Sequence, residues 1–480
     1  MATDKNTIQI GNWNRGGLSD SKWSGTQDSF FKMVGLDMHS SPGVLKVAQK
    51  MTKDSASTVT EFCKERVASS NGYTYWASAD SGKIWERTSA GVWSLVHTIV
   101  AAAGEVKILG MAEYQGYIYI ATQSRLHRIL ATGALGAAQW TANIALNWAT
   151  FTNTDISFHP MKEVNLVLYI GDAHFVAQVD AGTFSANAVD IKTPLRVKAL
   201  GRFGTDLLIG TYSGTVIAKS EIFRWNTWSV SFTNSDEIEE VGINAFLEAD
   251  NYVFVQAGLS GNIYVYDGSV LELYRKIPGD YSPTKTGLVH PSSVANYNGE
   301  ILFGFSNGTG NAADEGVYRI ARGSRNYPSI LDFPYPISER LEGAFVTSGI
   351  EIGAILVVGS DLFVAWKNDT AYGIDKLDWS TKLDNAYLET RVLPFNRELL
   401  QNISKISVAY NLLPVSTAVN ISYSKNYTAY TNTTEITDVD RLSIYADMEG
   451  IELSTLQIKL IMTTSSNTAP SIESGEIKLR

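Results

Sequence analysis

The chain has 480 residues and a formal net charge of −10 at pH 7, from 39 basic and 49 acidic side chains. This balance argues against a protein that grips nucleic acid, because such proteins concentrate Lys and Arg to replace the counterions of the phosphates. Hydrophobic residues make up 44% and charged residues 18%, which predicts a folded chain and excludes a disordered one.

Residues 1–58 form the first predicted element and do not fit the repeats that follow. The opening MATDKNTIQI is polar, so no signal peptide is predicted and we expect synthesis in a cytoplasm. Isolated aromatic residues are mixed with Gly and Ser, and one short piece, GVLKVAQKM, has the pattern of a strand. Such a segment buries little of its own surface. We therefore predict an extended arm that closes a ring of the following repeats or contacts a neighbouring subunit.

Residues 59–378 contain a repeat with a period of about 45 residues, which is typical of β-propeller blades. Each unit has an aromatic or aliphatic strand, a small polar turn and a second strand, as in NYVFVQAGLSGNIYVYDG. The aligned strand positions, 41 to 54 residues apart, are Tyr73, Tyr117, Leu166, Leu207, Tyr252, Ile301 and Ile355. We predict an all-β fold with a β-propeller of six or seven four-stranded blades. An open β-solenoid or several sandwiches is the alternative.

The first clear repeat contains SADSGKIW, which resembles the Asp-box turn of sialidase propellers. That turn reads Ser-x-Asp-x-Gly-x-Thr-Trp, and here Ile84 replaces the threonine. We predict that Ser78 and Asp80 satisfy backbone amides of the turn, that Gly82 adopts positive φ, and that Trp85 packs beneath. The Asp box is a folding device, so it indicates a propeller and not a hydrolase.

No constellation of catalytic or metal-binding residues stands out in the sequence. Cys63 is the one cysteine, which excludes an internal disulfide and a thiolate zinc cluster, and its alternating context favours a buried thiol. The six histidines lack the spacing of metal ligands. The arginines are too scattered to predict the triad of a sialidase. We therefore predict no catalytic residue, no metal, no cofactor and no enzymatic activity.

Residues 379–480 form the last predicted element, in which the repeat has stopped. Stretches such as YLETRVLPF, KISVAYNLL and TLQIKLIMTT alternate apolar and polar residues between polar turns. This pattern predicts a C-terminal antiparallel β-sandwich.

Both ends of the chain resemble virion proteins of tailed bacteriophages. The N-terminal segment NWNRGGLSDSKWSGTQDSFFKMVGLDMHSSPGVLKVAQKM contains a phrase of the form D-x-H-x-x-P-G-x-L-K, here Asp37, His39, Pro42, Gly43, Leu45 and Lys46. In the proteins that it resembles, such a phrase precedes a β-propeller. The C-terminal YLETRVLPF and LQIKLIMTTSSNTAPSIESGEIKL resemble the β-sandwich attached to such propellers. Tail-hub and nozzle proteins of short-tailed phages have this plan.

The resemblance implies a structural virion protein, one subunit of a homo-oligomeric ring in the tail. The lumen of the ring would pass double-stranded DNA during ejection without sequence preference, and the outer face would hold tail fibres or spikes. Other tail proteins and portal adaptors are the implied partners, and the virion tail is the implied location, after synthesis in the host cytoplasm. No membrane span is expected, because the longest apolar runs fall far short of ~20 residues. In some nozzle proteins the sandwich is inserted within a blade, whereas here it follows the propeller.

Two other functions remain open from the sequence. A tail protein that binds a host glycan or receptor would use exposed aromatic residues, and Trp225 and Trp228 in FRWNTWSV are candidates. A hydrolase of host polysaccharide would need two facing carboxylates, which spacing alone does not identify.

Overall fold

A computed structural model gives the structure of the chain. The residues that it describes are 7–11, 13–23, 28–41, 43–70, 72–99, 107–131, 136–154, 156–213, 219–249, 252–308, 314–322, 328–339, 349–369, 371–394, 403–433, 436–437, 439, 441–448 and 453–479.

The chain forms two compact units, both built from β-strands. The propeller unit comprises Lys53–Glu315 and Glu342–Lys376, and the terminal unit comprises Met1–Thr52, Gly316–Leu341 and Leu377–Arg480. The α-helices of the described residues are short, at Trp13–Gly16 and Ala137–Asn143. No helix in these residues is long and apolar enough to cross a membrane. The all-β prediction is therefore confirmed.

Five consecutive four-stranded antiparallel sheets begin the propeller unit. Strands of the first and second sheets are Cys63–Ala68, Thr74–Ser78, Lys83–Arg87, Trp93–Thr98, then Gly110–Tyr114, Tyr117–Ala121, Arg125–Leu130 and Ala145–Thr150. Strands of the third and fourth are Met161–Val164, Val167–Asp172, Phe175–Asp180, Thr183–Asp190, then Leu195–Phe203, Asp206–Ser213, Ser220–Trp225 and Asn234–Ile238. Strands of the fifth are Ile243–Glu248, Val253–Ala257, Asn262–Tyr266 and Leu271–Lys276.

A sixth and a seventh sheet complete the propeller unit. Strands of the sixth in this unit are Gly287–Leu288, Val294–Tyr297 and Glu300–Asn307, and those of the seventh are Ile350–Val358, Asp361–Asn368 and Ala371–Lys382. Every position of the second strands Thr74–Ser78 and Val253–Ala257 is buried. A strand is buried at every position only where both faces of its sheet are covered. These sheets therefore have neighbours on both sides.

The innermost strands of the seven sheets contact one another in cyclic order. They are Cys63–Ala68, Gly110–Tyr114, Met161–Val164, Leu195–Phe203, Ile243–Glu248, Val294–Tyr297 and Ile350–Val358. The cycle closes because Ile350–Val358 contacts Cys63–Ala68. Apolar side chains fill the spaces between neighbouring sheets, and Trp76, Trp85 and Phe363 lie between the first and the seventh. A closed ring of radially packed sheets is a β-propeller, which confirms that part of the predicted fold.

The terminal unit contains two further sheets and draws strands from both ends of the chain. One sheet contains Thr7–Ile10, Leu36–Asp37, Leu45–Val47, Ile403–Tyr410, Ser443–Asp447 and Ser471–Leu479. The other contains Gly17–Leu18, Ser29–Val34, Ala386–Thr390, Leu393–Pro394, Ala418–Lys425, Thr431–Asn432 and Thr455–Thr463. The strands Gln49–Lys53, Gly316–Ala321 and Ile330–Pro336 also have most or all of their residues in this unit.

Candidate functional site

The SADSGKIW stretch forms the turn between the second and third strands of the first sheet. The Oγ of the buried Ser78 accepts a hydrogen bond from the backbone N–H of Asp80 at 3.0 Å. Gly82 has a φ of 67°, which a residue without a Cβ adopts at little cost. Trp85 is buried in the apolar cluster between the first and seventh sheets. These four residues therefore lie together at one turn.

The carboxylate that organises this turn belongs to Glu61, outside the stretch. Ser78 Oγ donates to Glu61 Oε2 at 2.7 Å, and Ser81 and Lys83 donate to the same carboxylate. Burial acts to raise the pKa of Glu61, but these hydrogen bonds lower it below its ordinary value. Asp80 is exposed, and its carboxylate accepts no hydrogen bond within the part of the chain that the structure describes. The hydrogen bonds to Glu61 therefore fix the conformation of this turn.

The candidate binding site is a cavity of about 360 Å³ at the centre of the propeller unit, called here the central cavity. The side chains that define it are Lys64, Phe158, Lys198, His290, Glu351 and Ile352. Lys64, Lys198 and Glu351 lie on innermost strands of the first, fourth and seventh sheets. The ring therefore brings together residues that are far apart in sequence.

Lys198 contributes an ammonium group that has a neutral oxygen as its partner. Its Nζ donates to Asn244 Oδ1 at 2.5 Å and lies 5.3 Å from the centre of the Phe158 ring. Among the described residues, no carboxylate lies within 4.0 Å of this nitrogen. Burial lowers the pKa of Lys198 to about 8, so most of this group is protonated at pH 7.

His290 supplies a neutral imidazole to the same cavity. Burial lowers its pKa well below the ordinary value, and the charges of Lys64, Lys198 and Arg66 act in the same direction. The backbone N–H of Ser292 donates to His290 Nδ1 at 3.2 Å, which assigns the hydrogen to Nε2. His290 therefore offers a neutral N–H donor.

Glu351 is the acidic side chain of the central cavity, and two cations already neutralise it. Its carboxylate lies 3.6 Å from Lys64 Nζ and 3.4 Å from Lys367 Nζ. All three side chains keep about a third or more of their surface exposed. Among the charged side chains that line the cavity, Lys64 and Glu351 have opposite charges, and Lys198 leaves one net positive charge.

Arg66 and Glu65, which follow Lys64 in the sequence, make contacts between different parts of the ring. Arg66 Nε donates to Ile355 O at 2.7 Å and its Nη2 donates to Val294 O at 3.2 Å, which joins the first, seventh and sixth sheets. Ser292 Oγ donates to Glu65 Oε2 at 2.7 Å. Burial raises the pKa of Glu65 to about 7, although this hydrogen bond and nearby cations oppose the rise. Arg66 and Glu65 therefore connect different parts of the propeller unit.

A separate network of buried charges lies in the terminal unit, on the phrase that resembles virion proteins. Asp37 Oδ1 accepts the N–H groups of His39 at 2.9 Å and Ser40 at 3.2 Å. Arg319 donates to Asp37 at 2.7 Å and makes two bonds to Asp332, at 2.6 and 3.0 Å. His39 Nε2 lies 3.3 Å from Asp332. Burial acts to raise the pKa of Asp37, but the charge of Arg319 and the hydrogen bonds hold it well below its ordinary range.

The other residues that the sequence suggested do not line the central cavity. Cys63 is buried, as expected, and burial raises the pKa of its thiol. Trp225 is buried and its Nε1 donates to Ser229 O at 2.8 Å, whereas Trp228 is 84% exposed. Within the described ranges, no three His, Cys, Asp or Glu side chains are grouped as metal ligands. No sequence motif marked Lys198, because its partners come from other repeats.

Comparison with known proteins finds solved structures that are similar to this one and no family. No protein-family model matches the chain, and no curated protein matches it. Its structure is similar to virginiamycin B lyase from Staphylococcus aureus, with a TM-score of 0.46 and 14% identity, over 68% of this chain and 98% of that one. A streptogramin B lyase has a TM-score of 0.45 and 12% identity over 69% and 98%, and the WD40 repeats of RRP9 have 0.44 and 12% over 69% and 98%.

These likenesses correct one prediction. The prediction of no enzymatic activity does not follow from a propeller fold and is wrong, because lyases are among the proteins of similar structure. A propeller gathers side chains from several sheets at its centre, so an active site there needs no motif that is continuous in sequence. Likenesses at this low identity concern the fold and assign no reaction to this chain.

Proposed function

We propose that the chain is a structural subunit of a bacteriophage tail, in the hub or nozzle region of the virion. In this proposal it assembles with copies of itself into a ring and contacts other tail proteins, portal adaptors and tail fibres. The ring passes double-stranded DNA during ejection. The proposal is supported by the two segments that resemble virion proteins and by the way these segments fold.

One observation carries the proposal: the two resembling segments pair with each other as strands of the same sheets. Ser29–Val34 is antiparallel to Ala386–Thr390, and Leu45 and Lys46 are partners of residues in Ser471–Leu479. Both segments belong to the same compact unit, so the resemblance concerns one structural unit.

The charges of the N-terminal phrase have a structural explanation. A buried carboxylate is stable only where cations and donors replace its water, and Asp37 has Arg319 and two backbone N–H groups. The charged residue Asp37 of the phrase therefore contributes to the folding of the terminal unit.

We infer further that the two sheets of the terminal unit pack face to face as a β-sandwich. Burial alternates along Ser443–Asp447, as expected for a strand with one covered face. This strand also contacts Ala418–Lys425 of the other sheet.

A second candidate function is a tail protein that binds a host receptor or glycan. Trp228 favours it, because an indole that is 84% exposed offers a flat apolar surface for stacking on a sugar. Asn226 Oδ1 accepts the N–H groups of Trp228 at 3.0 Å and Ser229 at 2.9 Å, which fixes the loop.

A nonsense mutation in the coding sequence, in the phage that encodes this chain, tests the proposal. We expect particles with filled heads and incomplete tails in negative-stain electron microscopy, restored by the wild-type chain supplied in trans. Complementation by Arg319→Met should fail, because it leaves Asp37 and Asp332 buried without their cation. Complementation by Lys219→Met, which removes an exposed charge, should succeed.

Complete tails without the chain would contradict the structural role. Complete tails on particles that no longer adsorb to cells would favour receptor binding instead.

A further inference from the structure

The ammonium group of Lys198 has no carboxylate partner within 4.0 Å among the residues that the structure describes. Asn244 Nδ2 donates to Gln256 Oε1 at 2.8 Å and to Gly258 O at 2.6 Å, which fixes Asn244 Oδ1 towards Lys198. An ammonium has three donors, and this oxygen accepts from one of them. A charge removed from water is costly without a counter-charge, so the site favours an anion.

The surroundings of Lys198 define the kind of anion. Phe158 presents an aromatic ring 5.3 Å from the ammonium, and its centre lies 6.2 Å from that of the His290 ring. Leu288 and Ile352 add apolar surface to the same wall. Because the lining side chains Lys64 and Glu351 have opposite charges, the positive charge of Lys198 remains, and one negative charge balances the lining of the cavity. The volume of about 360 Å³ suits a molecule with a single ring.

We propose that the central cavity binds a small organic monocarboxylate. The carboxylate accepts hydrogen bonds from Lys198 Nζ and from His290 Nε2–H, and the body of the ligand packs on Phe158. A planar carboxylate matches a cation and a neutral donor on one side of a cavity. This site goes beyond the tail proposal, since it resides in the propeller unit and can be tested on the purified chain.

Calorimetric titration at pH 7 with three probes tests the site. Benzoate represents an aromatic carboxylate, glucuronate represents an acidic sugar, and inorganic phosphate represents a small anion without an organic body. We expect saturable binding of at least one of the two carboxylates, and the preferred one identifies the source of the ligand. Tighter binding of phosphate than of either carboxylate, or binding of none of the three, would overturn the proposal.

Substitutions locate the binding. Lys198→Met should weaken carboxylate binding by about tenfold or more, because a charged hydrogen bond is lost. Lys198→Arg keeps the charge and should retain most of the affinity. Lys219→Met is the matched control, since it removes one positive charge from an exposed pair with Glu237 in the same sheet. Unchanged binding by Lys198→Met would contradict the assignment.

A measurement on the wild-type chain covers the case in which Lys198→Met does not fold. Acetic anhydride at pH 8 acylates accessible amines, and peptide mass spectrometry reads each lysine. A saturating concentration of the carboxylate that binds should reduce the acylation of Lys198 several-fold and leave Lys219 unchanged. Equal protection of both lysines, or of neither, would show that Lys198 is not the site.

Discussion

At the scale of single residues, the propeller unit keeps ionisable groups in three different states. Lys198 is a cation with a neutral partner, Glu65 is a carboxyl whose pKa is raised to about 7, and His290 is a neutral imidazole. Burial is the main cause in each case, because it disfavours the charged form. Each group is therefore sensitive to pH or to a ligand in a way that an exposed group is not.

Glu65 predicts a pH dependence of folding stability. Its pKa is about 7 in the folded chain against an ordinary 4.5, so between these values the folded state retains a proton that the unfolded state releases. The contribution is fully present below pH 4.5 and is lost as the pH rises through 7. Glu65→Gln should remove about 3 kcal/mol of this pH dependence between pH 4.5 and 8.

Urea unfolding of the wild-type chain and the variant at pH 5 and pH 8 measures this difference. Glu272→Gln, at an exposed position, is the control and should follow the wild-type chain. Parallel behaviour of Glu65→Gln and the wild-type chain would show that Glu65 is ionised when folded.

The residues of the SADSGKIW turn show how far sequence reasoning reaches at this scale. Ser78 and Gly82 have local roles in the turn, whereas Trp85 packs in the apolar cluster between the first and seventh sheets. The spacing of the stretch did not identify Glu61, because this residue lies in a different connection, just before the strand Cys63–Ala68, and contacts Ser78 only in the folded chain. Local turn chemistry can be predicted from sequence, whereas a partner brought in by the fold cannot.

At the scale of elements, the repeat predicted the presence of strands well. It predicted less well which strand of a sheet each one is. Six of the seven aligned positions lie at or next to the start of a second strand, as Tyr117 and Ile301 do. Ile355 lies instead in the first strand of the seventh sheet, Ile350–Val358, and the second strand is Asp361–Asn368. Both strands are apolar and buried, so hydrophobic pattern alone does not distinguish them. Alignment on Asp361–Asn368 makes the last step of the repeat wider still, because the strands Gly316–Ala321 and Ile330–Pro336 lie in that interval.

Close packing between innermost strands gives a prediction at the element scale. A Cβ on Gly353 would lie 2.1 Å from Cys63 O and 2.8 Å from Phe62 Cε2, where the seventh sheet meets the first. Gly353→Ala should therefore push the two sheets apart and destabilise the chain by about 1–3 kcal/mol. Thermal unfolding followed by circular dichroism measures the change.

The control for this substitution is Gly136→Ala, at the start of the helix Ala137–Asn143. A Cβ there meets Gln139 Oε1 at 3.4 Å, which a flexible side chain can accommodate. Its cost should stay below about 1 kcal/mol. Equal melting temperatures for Gly353→Ala and the wild-type chain would mean that the ring closes more loosely than the structure indicates.

At the scale of the whole molecule, the sequence predicted a propeller but not how the chain is divided. Gly316–Ala321 and Ile330–Pro336 have the pattern of blade strands, yet they belong to the compact unit that contains both ends of the chain. The pairing of Thr7–Ile10 with Ser471–Leu479 also has no signal in the sequence, since the two are at opposite ends. Long-range pairing depends on complementary surfaces, which a single sequence does not display.

The central claim is that this chain is a tail component, and its copy number in purified virions tests that claim most directly. Quantitative mass spectrometry, scaled to the major capsid protein, measures it. A ring subunit predicts about six to twelve copies in each particle, because closed rings contain a fixed and small number of subunits. Absence of the chain from purified particles would contradict the claim.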